Sequence, residues 1–258
     1  MKKIITLVLS VVMMLSLVAC ETAKSDLEYV KDKGTLVVGI TDFEPMDFKE
    51  DGEWVGFDAD MAKAFAKELG VEVEFVEIDW DNKAMELSGK TIDCVWNGMT
   101  LTDEVKSAMD CSNPYCNNAQ VVVVKKDVAD KYQTKESLKE LKFAVEAGSA
   151  GEEVVKELDL DYTAVKAQSD ALLEVKSGTS DAAVIDLLMA GAMIGDGTGY
   201  ADLTYTIGLN NEEYGVGFRK GSDMVAKFNE FMKSAYEDGS LMECAKQYGV
   251  QESIVEQK

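Results

Sequence analysis

Thr35-Leu36-Val37-Val38-Gly39-Ile40 is an almost unbroken apolar run and reads as a buried strand. Asp58 to Leu69 comes next. Met61, Phe65 and Leu69 fall four apart there and Gly70 stops the pattern, so this stretch reads as an amphipathic helix. Val71-Glu72-Val73-Glu74-Phe75-Val76 alternates apolar and acidic residues, which makes a strand with one wet face. Strand, helix, strand is the unit from which parallel sheets are built.

The alternation continues. Residues 92–97, 121–124, 182–185 and 214–218 read as strands, and 142–145 begins another that ends at Gly148-Ser149-Ala150-Gly151. Ser169 is expected to cap a helix carrying Ala171, Leu172 and Val175, with Gly178 as its stop. Ser222 is expected to cap another, carrying Phe228 and Phe231 and ended by Gly239. The fold class is therefore α/β, with largely parallel sheets.

Composition removes whole classes of function. The 258 residues hold 26 basic and 48 acidic side chains, a net charge of −22, with no histidine. Arg219 is the one arginine. Without histidine there is no Ser-His-Asp or Cys-His nucleophile system and no His-ligated metal. Such an acidic chain repels polyanions, so nucleic acid is not a partner. The acidity reads as solubility. Nothing in the chain calls for a cofactor or a metal.

The N-terminus reads as an export segment. Lys2 and Lys3 precede an apolar run from Ile4 to Val18, which is signal-peptide length and short for a membrane span. Leu17-Val18-Ala19-Cys20 resembles a bacterial lipobox. That implies a signal peptide over 1–19, a lipid on Cys20, and 20–26 as a tether that anchors the body to a membrane surface without spanning it. An extracytoplasmic body is expected. Four further cysteines remain, Cys94, Cys111, Cys116 and Cys244. Export permits a Cys111–Cys116 disulfide, and buried free thiols fit equally well.

Ligands of open α/β sheets sit beyond the carboxyl ends of the strands. The residues there are Asp42-Phe43-Glu44-Pro45, Asp79-Trp80, Asn97-Gly98-Met99-Thr100-Leu101-Thr102, Glu146 to Gly151, and Asp186. They combine aromatic plates, amide and hydroxyl donors, helix starts and isolated carboxylates. Each also has a plainer reading: Phe43 and Trp80 as core, Thr102 as a helix cap, Asp186 as a turn residue, Gly148 to Gly151 as a loop.

The ordered segments Gly34-Thr-Leu-Val-Val-Gly39, Gly52-Glu-Trp-Val-Gly-Phe-Asp58-Ala-Asp60, Gly98-Met-Thr-Leu-Thr-Asp-Glu104, Ser112-Asn-Pro-Tyr115, Gly178-Thr-Ser-Asp181 and Tyr214-Gly-Val-Gly-Phe-Arg-Lys-Gly221 resemble the extracellular solute-binding proteins of amino-acid ABC transporters. The resemblance implies a type II periplasmic-binding fold: two α/β lobes joined by two crossover strands, near residues 117–122 and 209–214. Lobe one would be 27–118 plus 212–258, and lobe two 119–211. It implies a monomer that takes an amino acid or a similar small molecule into the cleft, closes on it, and presents it to a transporter permease. Phe43 and Trp80 match the aromatic walls, and Asn97, Gly98 and Thr100 the strand-end donors, with Thr102 at the following helix start. Ser149 and Ala150 match the loop that closes on the ligand carboxylate, and Asp186 the partner of the α-amino group. Arg219 matches a surface basic position. Two residues depart from the family pattern. Val105 stands where the motif Thr-x-Glu-Arg carries a carboxylate-gripping arginine, and Glu146 where relatives often carry a lysine or a neutral residue. An enzyme on the same fold, with Glu146 or Asp186 as acid or base, is the alternative.

Overall fold

The computed structural model describes residues 24–258. The signal segment 1–19 and Cys20 lie outside them. One sheet runs, in order across it, β4 (Glu72–Glu77), β1 (Thr35–Ile40), β5 (Cys94–Thr100), β13 (Glu212–Phe218) and β6 (Asp110–Cys111), with β7 (Cys116–Asn118) also paired to β13. A second runs β10 (Asp161–Val165), β9 (Lys142–Glu146), β11 (Ala182–Asp186), β8 (Gln120–Lys125) and β12 (Leu203–Gly208). β2 (Phe48–Glu50) and β3 (Glu53–Val55) form a hairpin.

Both sheets follow one plan. β1 lies parallel between β4 and β5, and β9 parallel between β10 and β11. The fourth strand of each runs antiparallel, β13 against β5 and β8 against β11. Those two strands follow the passages between sheets: out at Ala119, between β7 and β8, and back over 209–211, between β12 and β13. Parallel strands need crossover connections, and helices on both faces make their apolar runs buriable. All of β11, and all of β1 after Thr35, is buried accordingly.

Helix Phe57–Leu69 buries Phe57, Met61, Phe65 and Leu69, the expected stripe, and Gly70 closes it in the left-handed conformation, with its N–H on the Ala66 and Lys67 carbonyls. Phe65 meets Phe228 and Phe231 at ring distances of 5.4 and 5.1 Å, and Trp96 meets Phe228 edge-on at 4.8 Å. These rings form the aromatic centre of the first unit's core.

Four local readings need correction. Ser169 does not cap its helix, which spans Gln168–Ser177 from an N-cap at Ala167. Gln168 is held to Asp186 at both ends of its amide, and this tertiary tie starts the helix early. The strand expected over 92–97 is β5, which starts at Cys94 and runs on to Thr100 because Met99 and Thr100 pair with β13. Arg219 is not a surface residue: its side chain is 10 % exposed against Asp26 and Asp93. Its guanidinium donates to Asp26 at 3.0 Å, to the Ile92 carbonyl at 2.7 Å and to Asp93 at 3.3 Å. Ser222 is not the cap either: helix Met224–Asp238 has its N-cap at Asp223, and the Ser222 hydroxyl, one residue outside, accepts from the Met224 N–H at 3.2 Å. The four cysteines among the described residues are free. No helix of the described residues is long and apolar enough to cross a membrane.

Candidate functional site

Two facts of local folding set the rim of the site. Helix Phe57–Leu69 carries Asp58 in its first turn, and that side chain turns into the protein, where it accepts from the Gly98 N–H at 2.6 Å and the Tyr115 hydroxyl at 2.7 Å. The end of β5 is thereby fixed to the helix. Gly98 has φ +55°, and a Cβ there would lie 2.5 Å from Phe43 Cε1, so only glycine lets the ring close over the strand end. Gly148 does the same on the other side: φ is +69°, and a Cβ would lie 2.7 Å from the Asp81 backbone.

Between the carboxyl ends of β1 and β5 and those of β9 and β11 lies a cavity of about 150 Å³. Ten of the strand-end residues singled out from the sequence line it, Phe43, Trp80, Asn97, Gly98, Thr100, Thr102, Glu146, Ser149, Ala150 and Asp186, whereas Asp42, Glu44, Pro45, Asp79 and Leu101 do not. Residues of both sheets' ends also touch directly. The Lys83 ammonium donates to the Gly148 carbonyl at 2.8 Å, and Lys166 lies 3.4 Å from Asp79.

Most of the polar side chains here are committed to the protein. Asn97 accepts from the Thr41 N–H and donates to the Thr41 hydroxyl at 3.1 Å. Thr102 and Ser149 cap their helices, accepting from Val105 N at 3.2 Å and Glu152 N at 3.1 Å. Thr100 donates to Glu212 at 2.8 Å. Asp186 accepts from Asn118, Gln120, Gln168 and Tyr214. Phe43 and Trp80 are both core and wall: each is buried, and each faces the cavity.

Glu146 is different. It is 3 % exposed, and its Oε1 has no hydrogen-bond partner. Burial, then the Asp186 charge, push its carboxyl up to about 8. Burial also raises Asp186, and the neighbouring Glu212 adds to the shift.

Sequence reading missed Lys83, Asp81 and Gln168, which also line the cavity. Lys83 opens helix Lys83–Ser88, three residues after Trp80, and its ammonium stands 4.9 Å from the Trp80 ring centroid. Burial lowers its pKa, and the surrounding carboxylates, Glu146 first, oppose the shift. The signal available in the sequence was that spacing of a cation i+3 from an aromatic on a short helix. Val105 is buried among Trp80, Met99 and Met109, so the wall at the expected arginine position is apolar. The arrangement is suited to enclosing a small solute with an apolar part and a cationic group. Among the described residues no cluster of side chains is placed to hold a metal.

Comparison with known proteins agrees with this geometry. The pattern of the bacterial extracellular solute-binding proteins, family 3, matches residues 36–251. The arginine-binding extracellular protein ArtP of Bacillus subtilis is 33 % identical over 96 % of this chain and 98 % of its own length. A mutant form of ArgBP from T. maritima superposes with a TM-score of 0.81 at 33 % identity, covering 87 % of this chain and 99 % of that one. An ancestral amino acid-binding protein, described as a precursor of cyclohexadienyl dehydratase, gives 0.79 at 36 % identity over 87 % and 99 %. The named relatives are binding proteins rather than enzymes, and the present chain is a binding protein with a mixed α/β periplasmic-binding fold. It belongs to the bacterial extracellular solute-binding proteins, family 3.

Proposed function

We propose that this chain is the substrate-binding subunit of an ABC importer, anchored outside the cytoplasm by a lipid on Cys20. It acts as a monomer. It captures an amino acid or amino-acid-like solute between a lobe of residues 27–118 plus 212–258 and a lobe of 119–211, and hands it to a membrane permease. The observation that carries the reading is that the ten strand-end residues, scattered from 43 to 186 in sequence, line one cavity. A ligand touching both walls favours the closed arrangement over the open one, which is the signal a permease reads. Phe43 and Trp80 sandwich the apolar part of the solute. The free amides that open helix Ala150–Glu157, together with Lys83, take the place of the absent arginine toward a ligand carboxylate.

A thermal-shift screen of amino acids, polyamines, short peptides and betaines tests this. One or two solutes raise the midpoint, by several degrees at saturating concentration, and are recovered chemically unchanged. A solute converted to product in the same tubes contradicts the binding role, and a screen in which nothing shifts contradicts the solute class.

A further inference from the structure

The cavity holds two neighbouring buried carboxyls, and their situations are opposite. Asp186 Oδ1 accepts at 2.7 Å from the Tyr214 hydroxyl, at 3.0 Å from Gln120 Nε2, and from Asn118 Nδ2, while its Oδ2 accepts from Gln168 Nε2. Asn118 and Gln120 flank the outward passage between the sheets, and Tyr214 lies on the strand that follows the return. Asn118 and Gln120 also donate to Glu212, at 2.6 and 2.8 Å. Asp186 therefore sits at the centre of a network that gathers both passages, and the acceptor sites of a carboxylate are largely taken. Glu146, at the end of the adjacent parallel strand, is as deeply buried and keeps an oxygen that no donor in the protein reaches. Burying a carboxylate oxygen with no partner is costly unless a ligand supplies the missing donor.

We propose that Glu146, and not Asp186, receives the ammonium group of the ligand in this protein, while Asp186 is a clasp that holds the two passages to the second sheet. The inference rests on the reading of the cavity as an amino-acid site. It also accounts for both departures from the family pattern together. A cation is missing at Val105 and an acid is present at Glu146, so the strongest charge interaction in the cavity shifts from the ligand's carboxylate to its ammonium.

The assignment has a protonic consequence. The charged groups around Glu146 are Lys83, Asp81 and Glu104 from the first sheet's side, Asp170 and Asp186 from the second, and the Glu152–Lys156 ion pair at 3.1 Å. Burial first, and then the excess of acids over cations, keeps a proton on Glu146 in the empty site below pH about 8, and an incoming ammonium displaces it. Ligand uptake releases that proton, and affinity rises with pH until Glu146 is ionised.

The test is calorimetric titration of the wild type, Glu146→Gln and Asp186→Asn with L-arginine, L-histidine, L-glutamine and L-cystine, each beside its N-acetyl derivative. Buffers of different ionisation enthalpy report the proton. The wild type binds at least one free amino acid, rejects its N-acetyl form and releases a proton at pH 6.5. Glu146→Gln weakens that binding about 100-fold, in line with removing one partner of a buried charge pair. It also abolishes proton release, and its ligand-free thermal midpoint is unchanged or higher. Asp186→Asn lowers the ligand-free midpoint and leaves proton release in place. Undiminished binding and proton release in Glu146→Gln overturn the assignment, as does loss of binding in Asp186→Asn with an unchanged midpoint. A wild type that binds none of the four overturns the amino-acid reading itself, and this assignment with it.

Discussion

Val105 is buried with Trp80, Met99 and Met109 on the wall where the family motif carries an arginine. Its methyls make that end of the cavity apolar, and a plain α-amino acid finds no guanidinium there to pair its carboxylate bidentately. Val105→Arg is expected to tighten binding of such an amino acid about tenfold, ~1.4 kcal/mol. A charged hydrogen bond contributes ~1.5–3 kcal/mol, and desolvating the guanidinium offsets part of it. Titration of the variant checks this; no gain, or loss of the native ligand, shows that the wall is built for another group. The one natural arginine illustrates what sequence alone leaves open. Arg219 follows the last strand and looks like a surface charge, yet it ties Asp26, Asp93 and the Ile92 carbonyl together. Those partners are remote in sequence, and a pairing of that kind has no local signature.

Among the elements, helix Phe57–Leu69 lines none of the cavity, yet it braces the strand end that does, through Asp58. Its hydrophobic stripe was legible from spacing, because period 3.6 places Met61, Phe65 and Leu69 on one face. The role of Asp58 was not. As a first-turn acid it reads as an ordinary partner of the helix dipole, whereas it is fully buried and fixes the end of β5. Asp47 is buried close by, and neither of its carboxylate oxygens has a partner. Burial raises the pKa of both acids, Asp58 to about 7, and the nearby Asp58 charge raises Asp47 further. Because the folded values lie above the unfolded ones, the fold takes up protons. The contribution of these two acids to stability is therefore most favourable below the unfolded value near 3.8 and is lost as pH rises from there through about 7. Asp47→Asn keeps the side-chain shape and removes the titration. It is expected to stabilise the protein at pH 8 by about 1–3 kcal/mol, and the gain shrinks toward zero near pH 4. Denaturant melts at the two pH values check this, and a gain independent of pH contradicts it.

For the whole molecule, two sheets of one plan meet across a cavity, and the chain passes between them twice. The strand-helix alternation made that architecture readable, since buried parallel strands leave long apolar runs in the sequence. That strand-end residues would gather around one cavity was readable for the same reason, because loops after parallel strands converge at one edge of each sheet. The assignment of individual polar groups was less so. Ser149 and Thr102 cap helices, Asn97 braces Thr41, and Asp186 gathers the passages, and such commitments depend on side-chain geometry that residue identity does not encode. Lys83 carries one faint mark in the sequence, its place three residues after Trp80; its other partner, the Gly148 carbonyl, comes from the other sheet's end and has no local signature.

One solute is expected to be held, unchanged, in the cavity between the sheets. Titration calorimetry with the solute that most raises the thermal midpoint, followed by mass analysis of what is released on denaturation, tests it most directly. The expected result is saturable binding of one solute per chain, recovered with its mass intact. Continuous heat with accumulation of a product, or saturation unaffected when Glu146 is replaced by glutamine and Ala108, on the cavity wall, by phenylalanine, would contradict it.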